Sequence, residues 1–164
     1  MAILTEYDGS VDDTNNLGID YIVAQGFKIP SGATITGFSI RGSKGNTNPC
    51  SSFTVKIYEG GANPTAGTEK KSESFSSTSL GDYTGSPTFH DFEFTTSTGA
   101  LTGGSTQYYM TLHPDDGSTS DAIRWSIDTT SSSYSDGSRW SSPYSSISWT
   151  EVSNHDLNFK IYGT

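Results

Sequence analysis

Apolar and polar positions alternate in short runs along most of this chain, and turn-forming residues separate the runs. "SSFTVKIYE" sets Phe53, Val55 and Ile57 on one face and Thr54, Lys56 and Tyr58 on the other. "TQYYMTLH" groups Tyr108, Met110 and Leu112, "DAIRWSID" groups Ile123, Trp125 and Ile127, and "HDLNFKIYG" groups Leu157, Phe159 and Ile161. "IDYIVAQGFKI" places Ile19, Tyr21, Val23 and Phe27 together, and "TFHDFEFTT" has Phe92 and Phe94 in one phase with Phe89 in the other. In "ATITGFSIRG" the phase changes between Ile35 and the pair Phe38 and Ile40, which predicts a β-bulge near Gly37. A period of two sends successive side chains to opposite faces, so each run reads as an antiparallel strand with one buried face.

The connectors carry matching chemistry. "PSGA", "GNTNPC", "GGANPTAG", "GDYTGSP", "TGALTGG" and "PDDGS" each supply Gly, Pro, Asn or Asp, which set tight turns. No segment holds a 3.6-residue period, so helix is almost absent. The expected fold is all-β: a two-sheet antiparallel β-sandwich of jelly-roll type with long Ser/Thr/Gly-rich loops, one domain over residues 1–164. Residues 1–17 read as an edge strand (Ile3, Thr5, Tyr7) followed by an acidic loop, or as an N-terminal arm. The stretch "TTSSSYSDGSRWSSPYSSISW", 129–149, lies between two strands and reads as an ordered crossover, with "SRWSS" and "ISWTE" forming a short hairpin about Pro143.

Composition sharpens this picture. Leu, Ile, Val and Phe supply only 29 of 164 residues, whereas Ser and Thr supply 50 and aromatic residues 12%. Large rings therefore carry much of the burial that aliphatic side chains usually provide. The net charge of −9, with scattered cations, argues against nucleic acid and against anionic membrane surfaces. No apolar run approaches the ~20 residues of a membrane-spanning helix. Cys50 is alone, so no disulfide forms within the chain. "MAILTEYDGSVDD" lacks the charge and apolar length of a signal peptide, so the expectation is synthesis in the cytoplasm and release with a particle.

Motifs for chemistry are sparse. The sequence holds no G-x-S-x-G, H-E-x-x-H, P-loop or G-x-G-x-x-G pattern. His90, His113 and His155 fall at strand positions or strand ends and read as rim residues. "DGSVDDTNN" (Asp8, Asp12, Asp13, Asn15) and "PDDGSTSD" (Asp115, Asp116, Asp121) offer oxygen ligands of the kind calcium takes, but neither follows an EF-hand spacing, and no metal or other cofactor is assigned. The aromatic residues of the 129–149 stretch are the better lead. Sugar rings stack on Trp and Tyr while Asp, Ser and Arg bind their hydroxyls, so Tyr134, Asp136, Arg139, Trp140 and Tyr144 form the candidate ligand set. Trp125 and Trp149 read as core.

"GFKIPSGATITGFSIRG", "FTVKIYEGGANPTAGT", "FEFTTSTGALTGGSTQYYMTLH", "RWSID" and "HDLNFKIYG" follow in this order. The order resembles jelly-roll β-sandwich modules found on phage structural proteins and in secreted bacterial multidomain proteins. "GGANPTAG" is similar to a turn of those modules, and "LTGGSTQYY" to the entry of a later strand. The resemblance, from about residue 19 onward, implies a fold and a non-enzymatic role and brings no functional residue with it. The expected function is a non-enzymatic virion surface protein of capsid-decoration or head-fibre type with a structural and adhesive role, with viral capsid or tail proteins, cell-surface or environmental glycans and further copies of itself as candidate partners. The alternative is a carbohydrate-binding module associated with a secreted enzyme.

Overall fold

The structure is a computed structural model that describes residues 2–83, 85–130 and 133–164. Ser131 and Ser132 of the crossover lie outside the described residues. The strands are β1 (Ala2–Tyr7), β2 (Asp13–Leu17), β3 (Tyr21–Phe27), β4 (Ile35–Lys44), β5 (Ser52–Glu59), β6 (Thr68–Ser76) and β7 (Thr88–Glu93). They continue with β8 (Tyr108–Pro114), β9 (Ile123–Asp128), β10 (Arg139–Pro143), β11 (Thr150–Val152), β12 (Asp156–Leu157) and β13 (Phe159–Gly163). One 3₁₀ turn at Ser77–Ser79 is the sole helical element among the described residues.

Two antiparallel sheets pack as a sandwich. The smaller runs β11-β10-β3-β8-β5-β6. The larger runs β1-β13-β4-β9-β12, with β7 on β4 and β2 on β9. Most connections cross from one sheet to the other, as in a jelly roll. The inward residues are those the alternation picks out: Phe53, Val55, Ile57, Tyr108, Met110, Leu112, Ile123, Trp125, Ile127, Leu157, Phe159 and Ile161 are all buried. Phe38, Phe53, Phe75, Phe92 and Phe94 form a ring cluster with centroids 5.1–5.9 Å apart. The expected bulge is present, since β4 advances from Ile35 to Gly37 while β13 advances from Gly163 to Tyr162.

The larger sheet forks at Asn158. Its N–H donates to the Ser126 carbonyl (3.0 Å), and its carbonyl accepts from the Arg41 N–H (3.2 Å) and the Trp125 indole (2.8 Å). Gln25 then ties the two sheets together. Its amide donates to Asp156 Oδ1 (2.9 Å) and its oxygen accepts from the Leu157 N–H (2.8 Å).

Two expectations need correction, and one strand was not expected. The segment after β1 is not simply an acidic loop, because Asp13–Leu17 adds to β9 as β2. β6, "TEKKSESFS", is a strand without a hydrophobic pattern; its inward positions include Lys71 and Glu73, which pair with each other at 2.9 Å along the sheet's edge. Trp149 is not core. It is partly exposed, with its indole donating to Thr65 Oγ1 (2.9 Å), because the short β11 has no layer above it.

Candidate functional site

The β10–β11 hairpin was legible in the sequence, and its register places Trp140 opposite Glu151 on one side and Ala24 on the other. Along β10, Trp140 points to the outer face of the smaller sheet, whereas Arg139 and Ser141 point inward. The outer face carries Ile22, Ala24 and Gly26 on β3, Tyr109, Thr111 and His113 on β8, and Thr54, Lys56 and Tyr58 on β5. The small residues of β3 leave room for the indole of Trp140 to reach over the strand and meet Tyr109 edge-on at 6.0 Å. Ala24 is fully buried beneath this cover although it faces outward.

Two loops close over the same face. Tyr144 follows β10, its N–H donating to the Asp20 carbonyl (2.8 Å), and its ring stacks on His113 with centroids 3.5 Å apart. The β5–β6 loop turns back at Gly60 and Gly61, both with positive φ, so that the Gly61 carbonyl lies near the Tyr109 hydroxyl and Thr65 receives the Trp149 indole. Beside Tyr144 is a pocket of about 80 Å³ lined by Ile22, Thr54, Lys56, His113, Asp115 and Tyr144. Polar groups stand ready along its floor. Lys56 pairs with Glu69 at 2.9 Å, and that bond raises the ammonium's pKa. Asp115 gathers the hydroxyls of Ser52, Thr54 and Ser74 at 2.7–2.8 Å. Burial raises the phenols of Tyr58 and Tyr109, which keeps both as neutral hydroxyls.

The five sequence-predicted residues do not converge. Trp140 and Tyr144 share the outer face. Tyr134 packs against Tyr7 and Phe159 at 5.8 and 5.4 Å, bonds Thr5 through its hydroxyl (2.9 Å), and has its pKa pushed up to about 12 by burial. Asp136 pairs with Lys28 at the end of the sandwich (3.3 Å). Arg139 lies between the sheets. Tyr58, Tyr109 and His113 are the aromatic residues that sequence reasoning left out. Their signal was the outward phase of β5 and β8, where a solvent-facing strand ordinarily carries small polar residues.

The acidic clusters are engaged by the chain itself. Asp12 accepts from Thr129 and Thr130, Asp8 pairs with Arg41, Asp116 accepts from Ser51, and Asp121 holds Arg124 at 2.8 Å through two bonds. Among the described residues, no group of three or more His, Cys, Asp or Glu side chains is placed to hold a metal ion.

The entry into β10 depends on two glycines in contact. A Cβ on Gly137 would stand 2.1 Å from the Gly26 carbonyl oxygen, and the Gly26 N–H donates to Ser138 at 2.9 Å. Gly137→Ala must therefore push the start of β10 off β3. The expected loss is about 2 kcal/mol or more, read as a lowered urea midpoint together with changed Trp140 fluorescence.

Compared with known proteins, the sequence matches no family model and no curated protein sequence.

Proposed function

We propose that this chain is a non-enzymatic recognition protein that holds glycans on the outer face of its smaller sheet, from a position on a virion surface. The observation that supports glycan binding is the pair of rings Trp140 and Tyr144, backed by the buried Tyr109 and by His113 and rimmed by Lys56, Glu69, Asp115 and Glu151. Indole and phenol faces stack on the C–H faces of sugar rings, and the charged and hydroxyl groups beside them fix the orientation of sugar hydroxyls. The virion setting, with capsid or tail proteins as partners, rests on the likeness of the sequence to phage modules. The same aromatic face also suits the second reading, a carbohydrate-binding module of a secreted enzyme.

A glycan array, followed by variants, tests the binding claim. Trp140→Ala and Tyr144→Ala are each expected to weaken the best ligand by roughly tenfold, with the fold intact by near-ultraviolet circular dichroism. An array without ligands for the wild-type protein would remove the proposal. Sizing of the native assembly separates the two settings. Co-migration with a particle supports the virion, and migration with a secreted enzyme supports the module.

A further inference from the structure

The cations of this acidic protein are almost all neutralised by its own carboxylates. Lys28, Arg41, Lys44, Lys56, Lys70, Lys71, Arg124 and Lys160 each lie within 2.5–3.8 Å of an Asp or Glu oxygen. Among the described residues, Arg139 alone of the nine has no such partner. It is also set into the fold. Among the described residues its Nε is enclosed without a hydrogen-bond partner, and its side chain donates to the amide oxygen of Asn15 on β2. Burial lowers its pKa.

A half-buried guanidinium whose printed side-chain partner is a neutral amide stands without a counter-charge, although the chain carries 18 carboxylates. Arg139 instead faces an open cleft between β2 and the β3–β10 pair, with a volume of about 220 Å³. The cleft is lined by Asn15, Asn16, Tyr21, Val23, Arg139 and Ser141. Tyr21 is 52% exposed and lines the cleft. We propose that this cleft is a second binding site, on the opposite side of β10 from Trp140, and that it takes the carboxylate of an acidic sugar such as a uronic acid. The planar guanidinium matches a carboxylate through two parallel N–H···O bonds. Asn15, Asn16 and Ser141 supply partners for ring hydroxyls, and Tyr21 supplies a stacking surface. The choice of a sugar as the carrier of the carboxylate rests on the glycan-binding reading; the site itself does not.

Methyl β-glucuronide, methyl β-glucoside and acetate, titrated separately into ¹⁵N-labelled protein, test the proposal. The glucuronide is expected to give saturable shifts of the Arg139 Nε–H and of the Tyr21 and Ser141 amides, with the glucoside inert and acetate weaker. Arg139→Gln should weaken the glucuronide by roughly tenfold or more, and Tyr21→Ala, which keeps the guanidinium and alters an exposed ring, by a smaller factor. The proposal is overturned if the glucuronide produces no saturable shift, if the glucoside matches it, or if acetate binds as tightly. A neutral oligosaccharide that depends on Trp140 while the glucuronide fails would remove this site and leave the outer-face proposal standing.

Discussion

Trp125→Ala is expected to lower the unfolding free energy by about 3–5 kcal/mol, the largest effect of any single substitution considered. The indole is fully buried in β9, between the sheets. Its Nε1–H is one of two donors to the Asn158 carbonyl, at the point where β4, β9 and the β12–β13 strand meet. Alanine therefore leaves a large cavity and removes a hydrogen bond from the fork of the sheet. Trp125→Phe retains most of the volume and loses the bond, and should cost about 1–2 kcal/mol. Urea denaturation of the three proteins separates the cavity from the bond. Equal losses for the two variants would show that the fork does not depend on filling this space.

The second large effect is a pH-dependent one at Glu59, the last residue of β5. Its Oε1 accepts from the Thr102 N–H (2.9 Å) and the Tyr108 hydroxyl (2.5 Å), and its Oε2 lies 2.5 Å from Lys70 Nζ. Burial alone would raise the carboxyl's pKa, but the bonds from Lys70, Tyr108 and Thr102 outweigh it and hold the pKa at about 2, against an ordinary 4.5. Because the folded-state value lies below the unfolded one, the ionised carboxylate stabilises the fold fully above about pH 4.5. That contribution fades as pH falls through about 2. Glu59→Gln should destabilise the protein by about 2 kcal/mol at pH 7, and the gap between variant and wild type should narrow steadily between pH 5 and pH 2. Thermal unfolding across that range measures it. A gap independent of pH would place the loss in packing instead of charge.

The sandwich was legible wherever one face of a strand meets the core. β5, β8, β9 and β13 alternate because one side of each contacts the opposing sheet and the other does not. β6 and β2 escaped because they lie at sheet margins, where inward positions such as Lys71 and Glu73 keep their charge in ion pairs. Trp149 misled because its apolar neighbour Ile147 suggests a core phase, whereas Ile147 is itself exposed in the hairpin loop. The site was half legible. Trp140 and Arg139 were both singled out, yet adjacent residues of one strand face opposite ways, and they belong to two different surfaces. Alternation alone could not show that Tyr109 of β8 meets Trp140, since that depends on which strands are neighbours.

The central claim is that the outer face of the smaller sheet contacts a glycan. Mapping of ¹H–¹⁵N shifts with the best array ligand tests it most directly. The largest changes are expected on the Trp140 indole N–H and on the amides of Ala24, Tyr109, Thr111, Lys56 and Tyr144. Shifts confined to the larger sheet, on β4, β7 and β13, would contradict it.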